Sequence, residues 1–170
     1  MVDPRELHDQ SCRKSLARLQ RHAQINNIIH RTILRTQTPS SKERVGLICN
    51  DGKGPDSTTL IPWSRGKLFA WNVTIVNTFV DSHIHDTSSQ AGEVANKAAA
   101  NKIMKYSNLT ATHIFASIAV ETAGSLNNLA IEIIEEIGKR TSAITKEPFK
   151  TSYLFQRISM AIQRGMQFDS

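Results

Sequence analysis

The stretch Asp51-Gly-Lys-Gly-Pro-Asp56, followed closely by Leu68-Phe-Ala-Trp-Asn-Val-Thr-Ile75, constrains this chain most strongly. Glycine supplies positive φ, proline fixes φ, and aspartate bonds its own backbone, so residues 51–58 read as a turn. Ser64-Arg-Gly66 reads as a second turn, and Lys67 to Val76, rich in aromatic and β-branched residues, as the clearest strand. With a strand at Val45–Cys49 and another at Thr59–Ile61, these segments predict an antiparallel meander. Asp56 then falls just after a tight turn, and Asn72 in the middle of a strand.

Residues 1–11 are polar and read as a loose segment, with a single domain over residues 12–170. Cys12 to Arg35 has a helical pattern, with Leu16, Leu19, Ala23, Ile29 and Ile33 expected on one side. Arg13, Lys14, Arg18, Arg21, Arg31 and Arg35 gather on the other, and no acid interrupts the run. Thr36 to Arg44 reads as a loop. Gln90–Leu109 is an alanine-rich helix, and Ile114–Glu121 an apolar run expected to be a central strand buried on both faces. Helices over Asn127–Ile144 and Thr151–Arg164 complete the chain. That order predicts an α/β fold, one sheet flanked by helices.

The chain has 170 residues, enough for one domain, and 39% hydrophobic residues, enough for one core. Its net charge is +6, all of which the helix over residues 12–35 supplies. Such a helix is either a solvated polar face or a stripe that meets phosphates, which makes DNA a possible partner. Two cysteines make no disulfide framework. No apolar run approaches a membrane span, and the N-terminus lacks a signal peptide's apolar core, so an intracellular protein with no membrane partner is expected. No small-molecule substrate is expected.

Metal-assisted cleavage of a phosphodiester needs acidic oxygens at close range to hold Mg²⁺, with a lysine nearby for the developing negative charge. Asp56 and position 72 could face each other across two strands, and Asp51 and Glu121 are further acids near strand ends. Lys102 and Tyr106, four apart, share one face of a helix, while Lys105 points elsewhere. On their own these are ordinary turn and surface residues. His8 and Cys12 have the spacing of half a zinc knuckle, but a structural site needs four ligands, so no bound zinc is expected.

Five segments in order add a resemblance: His8-Asp-Gln-Ser-Cys-Arg-Lys-Ser15, Asp51-Gly-Lys-Gly-Pro-Asp56, Leu68-Phe-Ala-Trp-Asn-Val-Thr74, Lys102-Ile-Met-Lys-Tyr106 and Ala119-Val-Glu-Thr-Ala-Gly124. Together they resemble the C-terminal part of non-LTR retrotransposon reverse transcriptase polyproteins, where a Cys/His knuckle precedes a restriction-like endonuclease of the PD-(D/E)XK type. The end, Leu154 to Gly165, also looks like the close of such reading frames. The resemblance implies a mixed sheet flanked by helices, a Mg²⁺-dependent DNA-nicking ancestry, and a nuclear setting if the chain works as a retroelement product. It implies that Asp56 is the Asp of the Pro-Asp motif and that Asn72 stands where the family has its second metal-binding acid. Lys102, Lys105 and Tyr106 match a Lys-x-x-Lys-Tyr motif, and Glu121 a strand-end acid without an assigned role.

Three departures go with it. Residue 72 is Asn, Gly54 replaces a basic residue before the Pro-Asp pair, and the chain is expected to start inside the knuckle, after its first two cysteines and the polymerase. A first-shell amide in place of a carboxylate removes a full charge beside the metal, so an inactive or weakly active copy is expected. Two alternatives stay open: a non-catalytic nucleic-acid-binding module built on the basic helix, or an active nuclease in which Asp51 or Glu121 substitutes for residue 72.

Overall fold

The computed structural model describes residues 4–42, 54–77 and 91–167, with side chains described from Leu16 to Arg164 within those spans. The elements, in order, are helix α1 (Pro4–Arg35), strands β1 (Ser40–Lys42), β2 (Ser57–Thr59) and β3 (Leu68–Val76), helix α2 (Glu93–Lys105), strand β4 (His113–Glu121), helix α3 (Asn128–Thr145) and helix α4 (Lys150–Gln167). The strands form one mixed sheet in the order β1-β2-β3-β4. β1, β2 and β3 pair antiparallel, and β4 joins β3 in parallel, from Leu68 opposite His113 to Val76 opposite Glu121. The fold is therefore α/β, a mixed sheet with helices on both faces.

Period-two alternation along β3 sets the two faces. Phe69, Trp71, Val73 and Ile75 pack with Ile25, Ile29 and Ile33 of α1, Ile134 and Ile137 of α3, and Leu154, Ile158 and Ile162 of α4. On the other face, Ala119 of β4 meets Ala95 and Ala99 of α2, where small side chains let the helix lie close. Three rings run along the larger face, Trp63 on Phe69 at 5.5 Å and Phe69 on Trp71 at 5.3 Å. These centroid separations suit offset stacking. Trp71 lies fully buried and donates its Nε1–H to Asn26 Oδ1 at 2.9 Å, so its one polar atom is satisfied.

Several expectations need correction. The first helix starts at Pro4, within the segment read as loose. Its buried stripe is Ala17, Arg21, Ile25, Asn26, Ile28, Ile29, Thr32 and Ile33, while Leu16, Leu19 and Ala23 are exposed. Toward the N-terminus a small residue and an arginine continue the stripe, so hydrophobicity alone misplaces it. β1 lies inside the stretch read as a loop, and β2 begins two residues before Thr59. The expected strand at residues 45–49 lies outside the described residues.

The turn at Ser64–Lys67 is as expected: Arg65 and Gly66 both have positive φ, 53° and 74°, and Lys67 N–H returns to Ser64 O at 2.9 Å. β4 is buried on both faces as read, yet among the described strands it stands at the edge of the sheet rather than at its centre. Its outer edge is taken up by the chain that follows it. Asn127 Oδ1 accepts from Ala119 N–H at 2.8 Å, and Nδ2 donates to Ser117 O at 2.9 Å. Glu121 N–H bonds Ser125 O in the same return.

Candidate functional site

The register pairs Ser57 with Trp71, so one step further sets Asp56 opposite Asn72. The parallel ladder places Ser117 beside Asn72. In backbone register a polar row thus crosses the sheet; Asn72 and Ser117 face α2, whereas the Asp56 side chain leaves the row toward α1. Asn72 is 7% exposed, and its Oδ1 accepts from the Thr74 hydroxyl at 3.2 Å. Ser117 is fully buried, and its Oγ has no hydrogen-bond partner among the described residues.

The Asp56 carboxylate turns toward the sheet plane and α1. Its Oδ2 accepts from Val73 N–H at 2.6 Å, taking the place of a ladder carbonyl where β2 has ended. The same oxygen lies 3.0 Å from His22 Nε2. This hydrogen bond raises the His22 pKa; burial opposes it, the Asp56 charge and a backbone contact at Val73 add to it, and Lys102 counters weakly. Lys102 is therefore near enough to be felt at the Asp56–His22 pair.

Helix α2 supplies the expected side chains. Val94, Ala95 and Ala99 are buried toward the sheet, and Lys102 and Tyr106 follow at helical spacing. Tyr106 is almost wholly buried, packs its ring 4.7 Å from Phe115, and donates its hydroxyl to Gly54 O at 3.0 Å, two residues from Asp56. Lys105 lies with its ammonium 5.5 Å from the Tyr106 ring centroid, within cation–π reach.

Glu121 does not join the row. It lies four residues along β4 from Ser117, which is about 13 Å at the rise of a strand. Its Oε1 accepts from Ala95 N–H at 3.2 Å in the first turn of α2. A carboxylate there complements the helix dipole. That separation excludes Glu121 as a substitute for residue 72 in a pair with Asp56. Asp51 lies outside the described residues, as do the side chains of His8, Cys12, Arg13 and Lys14.

The donor set does not fit a firmly held divalent cation. The row has one carboxylate, whose Oδ2 is committed to His22 and Val73, and one amide, whose oxygen takes the Thr74 hydroxyl. Among the described residues, no group of three or more His, Cys, Asp or Glu side chains is placed to hold a metal ion.

The basic stripe of α1 is divided. Arg21 is buried, 5% exposed, as part of the inward stripe, which removes it from the expected surface. Arg18, Arg31 and Arg35 are exposed, and Arg31 and Arg35 turn toward α4. Sequence reasoning missed two parts of the site. His22 shares a helix face with Asn26 and Ile29, at i+4 and i+7, and Ser117 is a hydroxyl inside an apolar run; both signals were present.

The sequence matches no family model and no curated protein. No helix among the described residues is long and apolar enough to cross a membrane.

Proposed function

We propose that this chain is an endonuclease-like domain of the restriction-like, PD-(D/E)XK kind found in non-LTR retrotransposon polyproteins, catalytically disabled at residue 72 and partnered with DNA. The observation that carries the reading is the row formed by Asp56 opposite Asn72, with Lys102 and Tyr106 brought to it from α2. A mixed sheet covered by helices supports it further. Tyr106 bonds the backbone two residues before Asp56 and the Lys102 charge is felt at His22, so the motif segments, distant in sequence, lie near one another, which supports the reading. The site lacks the second negative charge that would hold Mg²⁺, since Asn72 is neutral and Glu121 caps α2 instead.

The test is nicking of supercoiled plasmid with Mg²⁺ and with Mn²⁺. Wild type should nick little. Asn72→Asp restores the missing charge at nearly constant volume and should bring nicking out, and Asp56→Ala in that background should remove it. Strong nicking by wild type that disappears in Asp56→Ala would overturn the claim of inactivity. Failure of Asn72→Asp to nick or to bind either metal would overturn the assignment of residue 72.

A further inference from the structure

Helices α1 and α4 run antiparallel with a seam between them, on the far side of α1 from His22 and Asp56. A groove of about 250 Å³ opens there, walled by Gln24, Asn27 and Arg31 of α1 and by Arg157 and Arg164 of α4, over an apolar floor that includes Ile28 and Ala161. The seam continues past Arg157, which lines a second recess with Arg35, Lys150 and Tyr153. On α4 the cations Lys150, Arg157 and Arg164 recur every seven residues. That spacing keeps them on one side of the helix over about 21 Å. Lys42 donates to Asn27 Oδ1 and adds another cation at the rim.

Among the described residues no acid lines the groove, and Arg31, Arg157 and Arg164 have no acidic partner. Lys150 is paired with Glu147, which places the free positive charge toward the Arg31 end. Tyr153 is 51% exposed and stands between Lys150 and Arg157, whose cationic groups lie 5.9 and 5.8 Å from its ring centroid. A row of cations longer than any single phosphate, with an exposed aromatic ring set into it, combines a backbone track with a stacking platform.

We propose that the α1–α4 seam binds single-stranded nucleic acid, its phosphates along Arg31, Arg35, Arg157 and Arg164 and one base stacked on Tyr153. This goes beyond the Asp56 site and does not depend on it. The row fits a flexible single strand better than a duplex, because a base reaches the Tyr153 ring only if it is unpaired.

The test is fluorescence anisotropy on the full chain with labelled oligothymidine of about twenty nucleotides, the matching oligouridine, and a duplex of equal length. Arg157→Ala with Arg164→Ala should weaken single-strand binding at least tenfold. It should also flatten the salt dependence by about 1.4 log units per log unit of salt, the share of two phosphates. Tyr153→Ala should weaken binding roughly fivefold or more with the salt slope unchanged, and Tyr153→Phe should keep it. Arg65→Gln with Lys139→Ala removes the same charge from exposed positions off the seam and should change little. Circular dichroism confirms that each variant is folded. The proposal is overturned if the seam and control pairs weaken binding equally. It is also overturned if the duplex binds as tightly as the single strand and Tyr153→Ala is silent, or if no oligonucleotide binds at low salt. None of these outcomes bears on the nicking result for Asn72→Asp.

Discussion

Asp56 and His22 are joined by a 3.0 Å hydrogen bond that ties helix α1 to the turn ahead of β2. The bond raises the pKa of His22 above its ordinary value. A histidine whose folded pKa is raised contributes stability that is full below the unfolded value, near 6.5, and is lost as pH rises through the folded value. Wild type should therefore exceed His22→Gln by about 1 kcal/mol near pH 6, the side chain being one-third exposed, and the gap should close by about pH 9. Urea denaturation at the two pH values checks this, and a gap that widens with pH would show the sign to be wrong.

Asn72→Asp should reveal the cost of the missing charge as well as its use. The position is buried, so a second carboxylate beside Asp56 should lower stability by about 1–3 kcal/mol without metal. Mn²⁺ should return part of that loss, because an ion that binds only the folded state stabilises it. Thermal melts with and without Mn²⁺ read both effects, and wild type should show no such recovery.

Glu121 acts through α2. Glu121→Gln keeps the shape and an acceptor for Ala95 N–H but removes the charge that complements the helix dipole. It should cost about 1 kcal/mol, and Glu121→Ala, which leaves a buried N–H unsatisfied, about 1–3 kcal/mol. In the Asn72→Asp background neither change should abolish nicking by the folded protein. Abolition by Glu121→Gln at full folding would place Glu121 in the reaction.

Gly138 sits where α3 crosses α4. A Cβ there would lie 2.7 Å from Thr151 Cα and closer still to its hydroxyl, and backbone cannot move aside cheaply. Gly138→Ala gains about 1 kcal/mol of helix propensity. Overpacking costs about 1–3 kcal/mol, and the short approach to backbone puts this site at the upper end. The net should be a loss of about 1 kcal/mol or more, seen as a lower urea midpoint. A more stable Gly138→Ala would mean the two helices can part freely.

Strong periodic segments were the legible part of this chain. The strand at residues 68–76, the helices over residues 93–105 and 128–145, and the turn around Gly66 all follow local pattern and backbone chemistry. Three-residue strands such as β1 and β2 carry too little pattern to be read; their partners across the sheet define them. The contact of Tyr106 with Gly54 spans 52 positions, and that of His22 with Asp56 spans 34, so no local window contains either. The stripe of α1 misled because Arg21, a charged residue, occupies an inward position. The groove against α4 was invisible for a related reason: its cations belong to two helices, and only packing brings them together.

Asn127 has a consequence for how this molecule behaves among copies of itself. β4 is a nine-residue strand at the edge among the described strands, and such an edge is a template on which a neighbouring chain can add a strand and start aggregation. The Asn127 side chain occupies backbone groups of Ser117 and Ala119, and residues 125–127 take those further on, so that half of the edge has nothing to offer an incoming strand. Asn127→Ala would uncover it, and light scattering at rising concentration should show self-association in that variant before it appears in wild type.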